Sequence, residues 1–269
     1  MNPLEAALRA HQSGRLEQAE AEYRKILRTD SGNVDAFHLL GVLAHQKGRN
    51  DEAIELISRA IARNSFQAIF HNSLGAALRA TGRLAEALAA FERALRLDRN
   101  YADARNNLGA VLHALGRPAA AQEHFLEALR IRPDFAEAFN NLGNVVRDLG
   151  HRDEARACFE RALQLKPDFA EALNNIAGIL QDQDRLAEAA AIYEQALRVH
   201  PNCAIAWNNY GNLLRDEGKW SAAIRCFERA RELGPHDGPK IKSALITPVI
   251  VESVEDIRRH RERIGHNVA

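Results

Sequence analysis

Six glycines of this chain, Gly14, Gly48, Gly82, Gly116, Gly150 and Gly218, fall on one grid with a spacing of 34 residues, and Asp184 fills its single gap. Ala19, Ala53, Ala87, Ala121, Ala155, Ala189 and Ala223 follow the same period without exception. So does a series of large residues: Tyr23, Ile57, Phe91, Phe125, Phe159, Tyr193 and Phe227. A fixed period of this length, kept through seven units with no insertion, marks a repeat array. In such an array each unit buries its apolar face only against its neighbours. The array occupies residues 1–237, and residues 238–269 follow it.

Position 1 of each unit is taken at residues 34, 68, 102, 136, 170 and 204, the first unit beginning at the chain start. Every unit reads as two helices, A and B. In the fifth, Phe139, Leu142 and Val146 recur at helical spacing, and Gly150 ends the run as a C-cap glycine does. Ala155, Phe159 and Ala162 then form one stripe of helix B, which Pro167 stops. The small Ala and Gly residues let helices approach closely, and the large residue fills the gap between them. The 16 glycines and 8 prolines agree with an all-α chain that has little loop.

The pattern resembles the tetratricopeptide repeat. Its signature is met most fully by Trp207, Tyr210, Gly211, Leu214, Ala223, Phe227, Ala230 and Pro235. The resemblance implies a right-handed α-solenoid superhelix of seven helix-turn-helix repeats. It carries no reaction with it, because fold does not imply function. After Pro235 the grid fades. Lys240–Ile246 reads as a capping helix, Pro248 breaks the chain, and Ser253 starts a linker helix reaching about Ile264. The arginines Arg258, Arg259, Arg261 and Arg263 suit either a basic docking patch or the negative end of that helix dipole.

Charge and motifs exclude several classes. Lys plus Arg and Asp plus Glu are both 36, so the net charge is zero, against a dedicated nucleic-acid binder. No run of 18 apolar residues exists, and the N-terminus has no apolar signal segment. Cys158, Cys203 and Cys226 are odd in number and far apart, which reads as reduced thiols in a cytoplasmic protein. Phosphate-binding glycine loops, nucleophile elbows and zinc-protease motifs are absent, as is any catalytic constellation. His45 and His113 share a grid position with Arg79 between them, so no metal site is expected, and no cofactor.

One surface carries a pattern. At about 100° per residue, positions 4, 7, 8 and 11 of helix A face the packing side. Positions 2, 6, 9 and 13 face away, with 5 flanking them, and in the tetratricopeptide family that side lines the concave groove. Position 6 reads Leu39, Ser73, Asn107, Asn141, Asn175 and Asn209. Position 5 reads His38, Asn72, Asn106, Asn140, Asn174 and Asn208, and position 9 adds Asn144 and Asn212. A carboxamide both donates and accepts, so it can pair with the N–H and C=O of an extended peptide without reading its side chains. Equivalent helices roughly 9–10 Å apart, against about 3.3 Å per extended residue, would place one Asn at about every third peptide residue. Four such contacts, at about 0.5–1.5 kcal/mol each, predict weak, sequence-tolerant binding that needs a long ligand. A second role is open to the Asn residues of position 6, a structural one of satisfying backbone groups between repeats. The carboxylate clamp of chaperone-binding repeats is excluded, because position 2 carries Asp35, Asp103, Glu137 and Glu171 where the clamp needs cations.

Within the family, segments 132–150 and 166–180 resemble the repeat half of O-linked N-acetylglucosamine transferases and of bacterial glycosyltransferases with tetratricopeptide repeats. That resemblance implies contact between protein substrates and Asn107, Asn141, Asn175 and Asn209, with Leu39 and Ser73 departing from the ladder. Segment 246–264 resembles the join between repeats and catalytic region in the bacterial enzymes. The expected function is therefore a module for extended or disordered polypeptide, the substrate-recognition part of a protein O-glycosyltransferase. The alternative is a free-standing scaffold that acts through its convex face or associates with itself as a homo-oligomer.

Overall fold

The computed structural model describes residues 3–234. Pro235 and the two expected C-terminal helices lie outside the described residues. Fourteen α-helices and no strands make up the described chain. The A helices are α1 (Pro3–Gln12), α3 (Val34–Gln46), α5 (Ala68–Ala80), α7 (Ala102–Ala114), α9 (Ala136–Asp148), α11 (Ala170–Asp182) and α13 (Ala204–Asp216). The B helices are α2 (Leu16–Thr29), α4 (Asn50–Arg63), α6 (Leu84–Leu97), α8 (Pro118–Ile131), α10 (Arg152–Leu165), α12 (Leu186–Val199) and α14 (Trp220–Leu233). The chain divides into two compact units, Met1–Pro167 and Asp168–Ala269.

The A-to-B turn repeats with one geometry. Gly14, Gly48, Gly82, Gly116, Gly150 and Gly218 have φ between 73° and 92°, and Asp184 adopts φ 59° at the same position. The next residue then sends its N–H back to the carbonyl of position 11, as in Arg15 to Ala10, Arg83 to Leu78 and Lys219 to Leu214. This is a Schellman closure: it satisfies the last carbonyls of helix A and reverses the chain. The left-handed turn residue is thus the structural basis of the 34-residue glycine grid.

Within a repeat, helices A and B pack through a glycine and a ring. A Cβ on Gly75 would lie 2.6 Å from the Phe91 ring, and one on Gly143 would lie 2.6 Å from the Phe159 ring. Phe91, Phe125 and Phe159 are completely buried, as are Ala87, Ala121 and Ala155 one turn before them. Where position 8 is alanine, at Ala7 and Ala177, position 24 is tyrosine. The Tyr23 hydroxyl lies 3.3 Å from His11 Nδ1, and that of Tyr193 lies 3.4 Å from Gln181 Oε1.

The layering tells which side curves inward. In the first unit α1 touches α3, α3 touches α5, α5 touches α7 and α7 touches α9; in the second, α11 touches α13. Among the described residues no two B helices approach backbone to backbone, and α2 and α4 meet only through the long side chains of Arg24 and Glu52, 2.6 Å apart. The row whose members crowd together is the inside of the bend, so the A helices line the concave face of each unit.

Candidate functional site

Positions 5 and 6 are adjacent in the second turn of each A helix, and together they form a hydrogen-bonded register between repeats. Asn107 Nδ2 donates to Asn72 Oδ1 at 3.0 Å, and Asn141 Nδ2 donates to Asn106 Oδ1 at 2.9 Å. In the second unit Asn209 Nδ2 donates to Asn174 Oδ1 at 3.1 Å. At the N-terminal side the chemistry changes and the register does not: His38 Nε2 and Ser73 Oγ lie 3.0 Å apart. Each bond runs from position 6 back to position 5 of the preceding repeat. Position 5 is therefore an inter-repeat brace. Asn106 and Asn140 are buried, with 8% and 7% of their surface exposed, which places them inside the solenoid and differs from the expectation that they line the groove. Asn72, Asn174 and Asn208 are half-buried, and Asn72 Nδ2 also donates to the Tyr101 hydroxyl at 3.4 Å.

Position 6 is half committed. Asn107, Asn141, Asn175 and Asn209 are all partly exposed. For Asn107, Asn141 and Asn209 the brace uses one N–H. The second N–H and both lone pairs of Oδ1 bond to nothing else among the described residues. The brace also fixes orientation: with Nδ2 turned toward the preceding repeat, Oδ1 turns away from it. Each of these three side chains thus serves the inter-repeat bond and keeps further donor and acceptor capacity. Asn144 and Asn212, at position 9, are half-buried, and their side chains bond to nothing among the described residues.

The acids of this face are largely neutralised close by. Asp103 pairs with Arg132, and Glu137 Oε1 lies 3.5 Å from Lys166 Nζ. Asp148 Oδ2 is 2.7 Å from His113 Nε2, a position 13 to position 12 contact also made by Gln46 and His11 at 2.7 Å. Toward repeats 2 and 3 the face becomes apolar. Leu39 and Val42 are partly buried, while Phe66 and Ile69 expose 77% and 47% of their surface. Ile69 was legible at position 2, where it and Ile205 stand among acids, whereas Phe66 lies in the link between α4 and α5, outside the helix positions that carry the pattern. No helix among the described residues is long and apolar enough to cross a membrane, and no three metal-ligating side chains gather.

Comparison with known proteins agrees with this architecture. Tetratricopeptide repeat family profiles match residues 4–68, 65–134, 102–168 and 168–235. No curated protein matches the chain. Among solved structures, one described as MamA is 28% identical, covering 61% of this chain and 96% of its own, with a TM-score of 0.53. Pseudomonas aeruginosa pilF is 22% identical over 77% of this chain and 94% of its own, with a TM-score of 0.63. A tetratricopeptide repeat protein from Parabacteroides merdae is 17% identical over 87% and 93%, with a TM-score of 0.71. The last two likenesses concern the fold alone.

Proposed function

We propose, from the premise that the chain belongs to the tetratricopeptide repeat family, that it is a protein-interaction module holding extended polypeptide along its A-helix face. The observation that carries this reading is the half-committed position-6 carboxamide. Bracing fixes the side chain before any ligand arrives, so little rotamer entropy is lost on binding. The remaining acceptor and N–H match what an extended main chain offers, and they carry no preference for particular side chains.

The test is the combined replacement of Asn107, Asn141, Asn175 and Asn209 by Ala, with binding measured against a library of disordered peptides. Each lost brace also removes a hydrogen bond, at about 0.5–1.5 kcal/mol of stability, so circular dichroism must first show intact helicity. With the fold retained, affinity should fall at least tenfold; unchanged affinity removes the proposal.

The finer reading, substrate recognition for a protein O-glycosyltransferase, rests on the resemblance of segments 132–150 and 166–180. Reading the gene past Ala269 tests it: several hundred further codons of α/β character support it, and an immediate stop removes it. A scaffold acting through its convex face is favoured by Leu126 and Trp220, which expose 51% and 58% of their surface on B helices. Replacing either by Glu should abolish a partner or self-association contact there while leaving peptide binding intact.

A further inference from the structure

Because the repeats are copies on one grid, the chain contains its own internal comparison, and repeat 4 departs from it at two packing positions. Position 4 is Phe37, Phe139, Leu173 or Trp207 elsewhere, but Arg105 in repeat 4. His71 holds that position in repeat 3, buried and bonded to the Ser65 carbonyl at 3.0 Å. Position 23 is apolar in repeats such as 2 and 6, with Leu56 and Ile192, and is His124 in repeat 4. The two residues meet at a cleft of about 380 Å³ between α6, α7 and α8, whose wall also includes Glu92, Leu95, Arg96, Arg99 and Leu108.

The charges of the residues that line this cleft do not cancel. Arg105 is held in place by its own backbone neighbour, Nε and Nη2 both donating to the Arg99 carbonyl at 3.2 and 2.8 Å. Its nearest carboxylate, Glu127, is 4.0 Å away and is already gripped by Arg130 at 2.8 and 2.9 Å. Glu92 lies 3.8 Å from Arg96, beyond hydrogen-bond distance. Three guanidiniums, Arg96, Arg99 and Arg105, thus face one lining carboxylate. His124 Nδ1 is sealed from solvent with no partner among the described residues. The bond from Arg105 to the Arg99 carbonyl repeats one that His71 and Trp207 make to the carbonyl six residues before them, so it fixes the side chain locally, whereas an apolar residue at position 23 would pack this seam without the unsatisfied nitrogen that His124 brings.

We propose that this cleft is a binding site for a phosphate monoester. The surplus of two positive charges matches the dianion, and guanidinium forks match its oxygens bidentately. Leu95 and Leu108 form an apolar wall for the group the phosphate is attached to. The phosphate belongs either to a phosphorylated side chain of a partner polypeptide or to a free small molecule, and the same chemistry serves both.

The proposal is tested by amide NMR of the labelled full chain, titrated with phenyl phosphate at constant ionic strength. Saturable shifts confined to segment 92–108 and the neighbourhood of His124 are expected; linear shifts that chloride reproduces would overturn it. Arg105→Leu restores the apolar residue of the grid and should weaken binding roughly tenfold or more, as loss of charge-assisted hydrogen bonds does. Arg99→Gln, at an exposed position, serves if the first variant unfolds, and affinity unchanged in the folded variant refutes the site. His124 provides a second readout. Glu92 and Arg96 from α6, Arg99, Arg105 from α7, and Glu123 and Glu127 from α8 surround it, and burial together with Arg105 holds its pKa below the ordinary value. A bound dianion should raise that pKa, and an unchanged His124 titration under saturating phenyl phosphate counts against the site. A phosphoserine peptide that binds tighter than phenyl phosphate assigns the ligand to a partner polypeptide; equal affinity assigns it to a free small molecule. The Asn variants above leave this cleft untouched, so the two failures are distinguishable.

Discussion

At the scale of single residues, the repeat depends on a missing Cβ. Gly75 and the Phe91 ring occupy space that an alanine methyl would contest at 2.6 Å. Gly75→Ala should therefore destabilise the chain by about 1–3 kcal/mol, the usual range for overpacking, as read by urea unfolding. A change below about 0.5 kcal/mol would show that the ring can move aside. His38 makes a different prediction. Burial pushes its pKa down to about 4 from an ordinary 6.5. The unfolded chain therefore takes up this proton first, stability is full above about pH 6.5, and it falls as the pH drops toward 4. The loss reaches up to roughly 3 kcal/mol. His38→Asn supplies the residue that repeats 3 to 7 use at that position. It should flatten this part of the stability profile, and a profile as steep as that of the parent chain would count against His38 as the cause.

At the scale of the element, every A helix ends on a residue in the left-handed region, and Asp184 is the only non-glycine there among the described residues. A side chain in that conformation is strained, though less for Asp than for most. Asp184→Gly should stabilise the second unit by about 0.5–1 kcal/mol, visible as an upward shift in its unfolding midpoint; a downward shift would mean that the carboxylate does something the turn needs. The helices themselves were legible in the sequence. Ala155, Phe159 and Ala162 gave the stripe of α10, and Gly150 gave the end of α9, because apolar period and turn chemistry are local properties. The braces were not legible. Asn141 and Asn106 lie 35 residues apart, and nothing in their spacing distinguishes a pair that bonds from a pair that merely repeats.

At the scale of the molecule, an array of this kind has no single core: an apolar cluster runs from Ala7 to Ala77 through repeats 1 to 3. Stability in such arrays is close to a sum over repeats and their interfaces. A fragment ending at Pro167, the boundary of the first compact unit, should remain helical and unfold cooperatively, with a urea m-value reduced roughly in proportion to the surface lost. A fragment without helical signal would overturn that expectation. The sequence by itself determined the seven-fold repeat, the class of fold and the end of each A helix, since each follows from contacts within one repeat or from the conformation of one residue. Only the tertiary structure decided that position 5 braces the neighbouring repeat while position 6 keeps an acceptor that the brace does not use. It also gathered Arg105, Arg99 and His124 around one cleft. These outcomes depend on the rotation and distance between successive helical hairpins, and that geometry is a property of the stack, not of any one repeat.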